Sequence, residues 1–209
     1  MNGTLVKNQL IFDFASGKLG PSKSVFASTY LFLNSKASKI NNIFENLLGE
    51  DLENVADVKP INLKFTDCIK YDSSYKISDT SIVNPISKLV GPLDQITWKQ
   101  VYKGFKEYIA KTDDTDELKL IKMEPGASVP LHSHNGKEFI LVLEGNFCDE
   151  YGNYNVGDIQ INDQKVKHTP VACNKNGCIC LTITEKDVIF FGRYGSFLNL
   201  FTFIKSFFK

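Results

Sequence analysis

The 209-residue chain lacks several features, and each absence excludes a class of protein. Its 24 basic and 24 acidic side chains cancel to a net charge of +0, so no overall field attracts nucleic acid or an anionic membrane surface. We therefore expect neither a direct nucleic-acid partner nor a membrane partner. The sequence also contains no glycine-rich phosphate loop, no Ser-His-Asp order and no internal repeat, which removes the commonest nucleotide-binding, hydrolase and solenoid classes.

Signals for export and for disulfides are missing as well. Met1–Gln9 is polar and mixed, without the basic segment and apolar core of a secretion signal. The aromatic tail Phe197–Phe208 is too short to span a bilayer, and we expect it to pack across the barrel or at an interface. The 5 cysteines form no Cys-x-x-Cys pair, and their odd number argues against a closed disulfide framework, so we expect a cytoplasmic protein. Cys178 and Cys180 share one face of an apolar strand, which favours core packing over redox work.

Histidine is scarce, and the few histidines lie in the C-terminal half of the chain. The 3 histidines are His132, His134 and His168. His132 and His134 are two residues apart, so on an extended chain both rings point to the same side. Glu138 continues the same even count, and His168 follows the Gly157-Asp158 pair, which is typical of a turn between strands. The segment therefore gathers imidazoles and a carboxylate on one face of a β-rich run.

This grouping predicts a metal site formed by His132, His134, Glu138 and His168. Three neutral imidazoles and one carboxylate suit Zn, Fe(II), Mn or Ni alike, so the ligand set alone does not choose the metal. The alternative is that His132 and His134 are solvated turn histidines beside an ordinary glutamate.

Helical periodicity is confined to the N-terminal part of the chain. The predicted helices run from Leu5 to Leu19, from Pro21 to Asn34-Ser35, and along an apolar stripe from Ile40 to a C-cap at Gly49. A bundle this small buries little apolar area, so we expect a remaining apolar face, including Ile43, Phe44 and Leu47, to meet a partner.

A polar stretch, Tyr71–Asn84, predicts a linker, with short helices before it from Pro60 and after it over Pro85–Val90. The predicted units are a helical domain over 1–70, a linker with a short helix over 71–95, and a β domain over 96–209. Because the joining segment is polar, each core is expected to form without the other.

From Ile96 onward the apolar residues alternate with period two, as in strands. The predicted strands are Ile96–Trp98, Gly104–Ile109, Glu117–Met123, Glu138–Leu143, Ile179–Ile183 and Val188–Phe191. The fold class is therefore α+β, with a small helical bundle followed by a β-barrel or sandwich.

Two motifs carry a resemblance to a known superfamily. The spacing Gly-x5-His-x-His-x3-Glu-x6-Gly, from Gly126 to Gly145, resembles the first cupin motif. Of the second motif, Gly157 and His168 are present, while Asn162-Asp163-Gln164 replaces its Pro-x-Gly turn. A helical domain followed by a cupin also resembles the ChrR-type anti-sigma factors over nearly the whole chain. The phrases that carry this second resemblance are LIFDFASGKL, ENLLGEDLENV, HSHNGKEFILVLEGNFCDEYGNYNVGD and CICLTITEKDVIFFG.

The resemblance implies a jelly-roll cupin barrel that binds zinc through His132, His134, Glu138 and His168. It also implies a helical domain that holds an extracytoplasmic-function (ECF) sigma factor until singlet oxygen or organic peroxide is sensed. The helical domain of that family carries its own zinc through an early histidine and a His-x3-Cys-x2-Cys run. Here that run reads Tyr30-x3-Asn34-x2-Ala37, so no zinc is expected in the helical domain and Tyr30 and Ala37 should fill the space by packing.

Two functional classes remain open. In the first, the protein is a transcriptional regulator in which the helices bind a sigma factor and the cupin metal senses oxidative stress. In the second, it is a metal-dependent cupin enzyme such as a dioxygenase, in which Glu150 and Tyr154 reach the cavity and the helices serve oligomerisation. The apolar face expected on the helical domain also allows a homodimer.

Overall fold

The computed structural model describes residues 3–53, 84–110 and 116–192, together with 195 and 199. The helix predicted from Pro60, the linker up to residue 83 and nearly all of the tail Phe197–Phe208 lie outside the described residues.

The N-terminal residues form the three predicted helices, α1 (Gly3–Ala15), α2 (Pro21–Leu33) and α3 (Ser35–Glu53). The first helix ends before the predicted Leu19, since Gly17 adopts a left-handed conformation at φ +68°. The predicted C-cap at Gly49 is wrong, because α3 continues through it to Glu53. A glycine inside a helix costs only about 1 kcal/mol relative to alanine, which the surrounding helix-forming residues can offset. Within the described part of the chain, no helix combines the length and apolar character needed to cross a membrane.

Two short helical segments lead into the sheets. The predicted helix α4 (Pro85–Val90) is confirmed, and the Asn84 side chain caps it by accepting from the Ile86 N–H at 3.2 Å. A 3-10 turn at Leu93–Gln95 follows. The strand predicted at Ile96–Trp98 is wrong, because these residues follow the turn in irregular conformation and anchor it by packing into the core.

The described strands are β1 (Lys99–Tyr102), β2 (Phe105–Ala110), β3 (Glu117–Met123), β4 (His132–His134), β5 (Glu138–Asp149), β6 (Gly152–Asn155), β7 (Ile159–Asn162), β8 (Val171–Ala172), β9 (Cys178–Thr184) and β10 (Val188–Phe190). The five other predicted strands are confirmed in position, although β5 extends to Asp149. Five short strands, β1, β4, β6, β7 and β8, were not predicted as separate elements.

The strand pairs among the described residues are all antiparallel, and β5 lies at the centre of the arrangement. Within the described residues one sheet has the order β1-β2-β3-β9-β5-β6, with β7 and β8 also paired to β5, and a second sheet pairs β10 with β4. A β-bulge between Val142 and Glu144 divides β5, so its first half pairs with β7 and its second half with β6 and β8. The predicted α+β fold, helices followed by an antiparallel β-sandwich, is confirmed.

The central strands present opposite faces to two different apolar clusters. On β5, Ile140 and Val142 belong to the cluster inside the sandwich. Phe139 and Leu141 face the other way and share a core with the helices. The rings of Phe26 on α2 and Phe139 meet edge to face with centroids 5.9 Å apart. The helices therefore complete one face of the sheet, and the two predicted units share a core within the described residues.

Polar contacts reinforce this docking. Lys23 on α2 forms ion pairs with Glu185 at 2.9 Å and with Asp116 at 3.2 Å. At the other end of α2, the Asn34 side chain donates to the Gly157 carbonyl at 3.0 Å. Gly157 lies in the predicted turn before β7 at φ +82°, and a Cβ there would lie 2.8 Å from the Leu33 carbonyl oxygen. Glycine is thus required both by the turn and by the close approach of α2.

Candidate metal centre

Three segments bring the four predicted ligand residues together. The short strand β4 carries His132 and His134, and Glu138 is the first residue of β5. His168 lies opposite His132, and the two residues exchange backbone hydrogen bonds of 3.0 and 3.1 Å. One ligand atom from each of the four residues lies within 4.8 Å of all the others. The predicted group is therefore assembled in the folded chain.

Burial separates the two interpretations of the histidines. His132 is 4% exposed, His134 1%, Glu138 6% and His168 0%. The alternative of solvated turn histidines is wrong, since no ring of the three is open to solvent. Burying so many polar side chains is costly unless hydrogen bonds, ion pairs or a metal compensate.

A turn of different sequence replaces the Pro-x-Gly of the second cupin motif. The Asp163 side chain accepts from the Lys165 N–H at 2.9 Å, and the Val166 N–H donates to the Asp163 carbonyl at 3.1 Å. Gln164 donates to the Asn135 carbonyl in the turn that follows β4. These bonds close a tight turn and fix it to the histidine pair, so His168 reaches the site without the family's proline and glycine.

His132 is poised to act as a neutral ligand. Burial lowers its pKa to about 4, so the ring carries no charge at neutral pH. Its Nδ1 lies 2.9 Å from the Pro130 carbonyl oxygen, which only an N–H at that position can satisfy. The lone pair is therefore on Nε2, as required of a metal ligand.

His134 shows the clearest deficit of partners. Its Nε2 lies 2.9 Å from Glu138 Oε2, but without hydrogen-bond geometry, and both ring nitrogens lack a hydrogen-bond partner among the described residues. A buried ring nitrogen without a hydrogen bond costs about 1–3 kcal/mol, and a bound metal ion would satisfy one of the two.

Glu138 is a carboxylate held among these rings. Burial alone would raise its pKa, but the adjacent His134 and His168 rings lower it below the usual glutamate value. The Asn162 side chain donates to Glu138 Oε2 at 2.9 Å, and that oxygen lies 3.6 Å from His168 Nε2. The carboxylate is thus oriented by its neighbours and keeps its negative charge.

His168 is bound from its outer side by a carboxylate that sequence reasoning missed. Its Nδ1 lies 3.0 Å from Asp149 Oδ2, and both side chains are 0% exposed. Burial would lower the pKa of His168, but Asp149 and Glu138 raise it to about 9. The metal-free ring is therefore protonated at neutral pH, and metal binding would release that proton.

Of the two residues proposed for an enzyme, Glu150 points away from the site. It is exposed and accepts from the Thr169 N–H at 2.8 Å. Tyr154 stacks on Phe147 with ring centroids 4.8 Å apart, and its hydroxyl receives a hydrogen bond from Gln160 at 3.0 Å. Tyr154 thus belongs to the polar network behind Asp149.

The three helical positions that the resemblance assigns to a second zinc have other roles. Tyr30 and Ala37 are 7% and 2% exposed and belong to the core shared with the sheet. Asn34 separates α2 from α3, and its side-chain oxygen accepts from the Ala37 N–H at 3.1 Å. That oxygen caps α3, while the amide group binds Gly157, so these positions contribute packing and capping.

The four-residue group fits a transition metal ion. The four side chains are buried, and one ligand atom from each lies close enough to the others for a single ion to contact all four. One of the imidazoles has no hydrogen-bond partner. The donor atoms are imidazole nitrogen and carboxylate oxygen, which transition metals commonly bind. His132, His134, Glu138 and His168 can therefore bind a metal.

An antiparallel sandwich with a histidine-glutamate group and a helical module on one face has the layout of a cupin with an N-terminal extension. Residues 87–186 match the family model described as the ChrR cupin-like domain, which confirms the resemblance drawn from the sequence.

A sequence match and a structure match to ChrR extend the similarity beyond the barrel. Anti-sigma-E factor ChrR of Cereibacter sphaeroides is 29% identical over 201 residues, which cover 92% of this chain and 92% of that protein. The crystal structure of Rhodobacter sphaeroides SigE in complex with the anti-sigma ChrR matches with a TM-score of 0.71 and 29% identity, over 85% of this chain and 96% of that chain. Both the helices and the barrel of this chain are therefore similar to ChrR.

Proposed function

We propose that this protein is an anti-sigma factor of the ChrR type, which sequesters an ECF sigma factor through its helices and senses oxidative stress through a metal in its barrel. The observation that carries the proposal is the extent of the similarity, since a relative solved in complex with its sigma factor matches the helical module as well as the barrel. A cupin fold alone would not indicate this function, because cupin folds serve many functions.

The surface of the helices supports a protein partner. Leu5 on α1 is 67% exposed, and Ile43 and Leu47 on α3 are 57% and 55% exposed. Ile43 and Leu47 are one helical turn apart, so they form a continuous apolar strip. Phe44, which was predicted to share this surface, instead packs inward, with its ring 5.4 Å from that of Phe12. The partner surface is therefore separate from the residues that hold the bundle together.

The donor set supports zinc as the metal, bound by His132, His134, Glu138 and His168. Three imidazoles and one carboxylate are common zinc donors, and the resemblance implies the same ion. When bound, the ion would act as a Lewis acid that ties together β4, the start of β5 and the segment leading to β8. The chain itself keeps His132 neutral, keeps Glu138 charged and excludes water from all four groups.

The experiment is co-purification with a sigma factor. The tagged full-length chain is co-expressed with each ECF-type sigma factor of the source genome in turn, and the purified sample is then analysed for metal. We expect the wild-type protein to retain one of these sigma factors and about one zinc per chain.

The matched variants are Ile43→Asp with Leu47→Asp on α3, and Val156→Asp on the barrel, where Val156 is 50% exposed. The α3 variant should lose the sigma factor, while Val156→Asp should retain it. Failure of every sigma factor to co-purify would contradict the proposal, as would undiminished binding by the α3 variant.

A further inference from the structure

We propose that Asp149 is the positioning residue of the metal centre, which holds the His168 ring so that its Nε2 faces the other three ligand residues. The inference rests on the proposed metal binding, and it assigns a role to a side chain outside the ligand set.

The contact between the two side chains is direct. Asp149 Oδ2 lies 3.0 Å from His168 Nδ1, on the side of the ring away from Glu138. A carboxylate at this distance accepts a hydrogen bond from the Nδ1–H group and therefore leaves the Nε2 lone pair free to bind the metal. Because both side chains are 0% exposed, water cannot take over the role of the carboxylate.

Asp149 is itself fixed by several donors. Its Oδ2 also accepts from Gln160 Nε2 at 2.6 Å. Its Oδ1 accepts from the backbone N–H groups of Tyr151 at 2.9 Å and Gly152 at 3.2 Å. The carboxylate thus has a single orientation before any ion binds, which is the condition for holding a ligand precisely.

A purely structural role for Asp149 would consist of closing the turn between β5 and β6 through its Oδ1. The two roles can be separated because they use different oxygens. Asp149→Asn retains a carbonyl oxygen for the turn but removes the charge that faces His168. Glu150→Gln is the matched control, since it removes the same charge from the neighbouring exposed residue, which contacts Thr169 rather than the ring.

The experiment measures the affinity of the purified full-length protein for Zn²⁺ and Co²⁺ by competition with a chelator. We expect Asp149→Asn to bind both ions about 10–100-fold more weakly than wild type, as is usual when such an outer carboxylate is lost. Glu150→Gln should bind them as wild type does. Nitrogen NMR of the metal-loaded proteins should show the Nδ1–H form of His168 in wild type and a mixture of ring forms in Asp149→Asn.

Unfolding of the metal-free proteins supplies the second readout. Asp149→Asn should unfold at a lower denaturant concentration than Glu150→Gln without metal, because it also removes the buried carboxylate oxygen that contacts His168 Nδ1 and Gln160 Nε2. Unchanged metal affinity in Asp149→Asn would overturn the proposal, and so would a weaker affinity in a variant whose His168 keeps the Nδ1–H form seen in wild type. The sigma factor is absent from this experiment, so a failure of this role is observed separately from a failure of the proposed partner.

Discussion

The polar side chains of the helical module and those of the barrel interior differ in their hydrogen bonding. In the helices, Asn34 uses its oxygen for Ala37 and its amide group for Gly157. In the barrel, His134 is buried with neither ring nitrogen hydrogen-bonded to a described residue. A buried atom without a hydrogen-bond partner also occurs among the described helical residues, at Asn41 Oδ1, but it stands alone there. The ring of His134 instead lies among four side chains that could together hold a metal ion.

Strand β7 is where the two regions meet. Ile159 and Ile161 pack on the side of the helices. Gln160 and Asn162 point to the opposite side, where they bond to Asp149 and Glu138 respectively. The metal centre is therefore separated by a single strand, β7, from the surface that contacts the helices.

The largest effect should follow replacement of both β4 histidines. His132→Ala with His134→Ala removes two of four ligands, and the metal content should fall from about one ion per chain to near zero by elemental analysis. The far-ultraviolet circular dichroism of the helices should persist, because neither ring contributes to their core. The exposed turn residue change Asn135→Ala is the control and should keep its metal. A double variant that retained a full complement of metal would contradict the assignment.

The shared core predicts a large loss of stability from a single helix residue. Phe26→Ala should lower the free energy of unfolding by about 3–5 kcal/mol, because Phe26 is 0% exposed and packs on the sheet. Phe32→Ala on the same helix should have a much smaller effect, since Phe32 is 39% exposed. Denaturant unfolding monitored by circular dichroism should show one transition for barrel and helices. Two separate transitions, with Phe26→Ala affecting only one, would show that the helices and the barrel unfold independently.

A smaller loss of stability is expected from replacing Asn34, which occupies a position that would bind a second zinc in the ChrR-type family. Asn34→Ala should cost about 1–2 kcal/mol, the usual value for a lost helix cap. The loss should be the same in the presence of zinc and of a chelator, because Asn34 acts through hydrogen bonds. The exposed residue change Asn42→Ala on α3 serves as the control. A chelator-dependent loss for Asn34→Ala would instead indicate a metal in the helices.

The smallest effect concerns the ion pair between Lys23 and Glu185, whose side chains are 24% and 28% exposed. Burial opposes both charges, but Lys23 outweighs it and lowers the pKa of Glu185 from its ordinary 4.5. The carboxylate therefore contributes stability above pH 4.5, and this contribution is lost as the pH falls through the lowered value. Glu185→Gln should cost about 0.5 kcal/mol at neutral pH and nothing in acid. An unchanged cost across this range, measured by urea unfolding, would exclude a charge effect.

The sequence was sufficient to group the four candidate ligand residues and to predict the three helices and half of the described strands, because these depend on local periodicity and spacing. Asp149 could not be found by the same reasoning. The bulge between Val142 and Glu144 inserts one residue into β5, so the inward face changes from even positions such as Ile140 to odd positions such as Phe147. Counting on by twos from Glu138 selects Glu150, which is exposed, and passes over Asp149.

The joint core was missed for a different reason. The sequence pattern of an amphipathic helix shows that one face needs an apolar partner, but it does not identify that partner. The polar composition of the linker suggested independence, whereas Phe26 on α2 meets Phe139 of the sheet. Likewise, strands as short as β8 (Val171–Ala172) have too few residues for a periodicity to be detected.

In the proposed function, the metal centre controls release of a sigma factor held by the helices. The most direct measurement is the affinity of the sigma factor for wild type and for His132→Ala with His134→Ala, before and after exposure to singlet oxygen or organic peroxide. We predict equal affinity before exposure, then at least a tenfold loss for wild type, equivalent to about 1.4 kcal/mol of coupling, and no loss for the variant. If the variant remains folded but does not bind the sigma factor even before exposure to oxidant, this function is contradicted. The metal would then be needed for sigma-factor binding and would not trigger release.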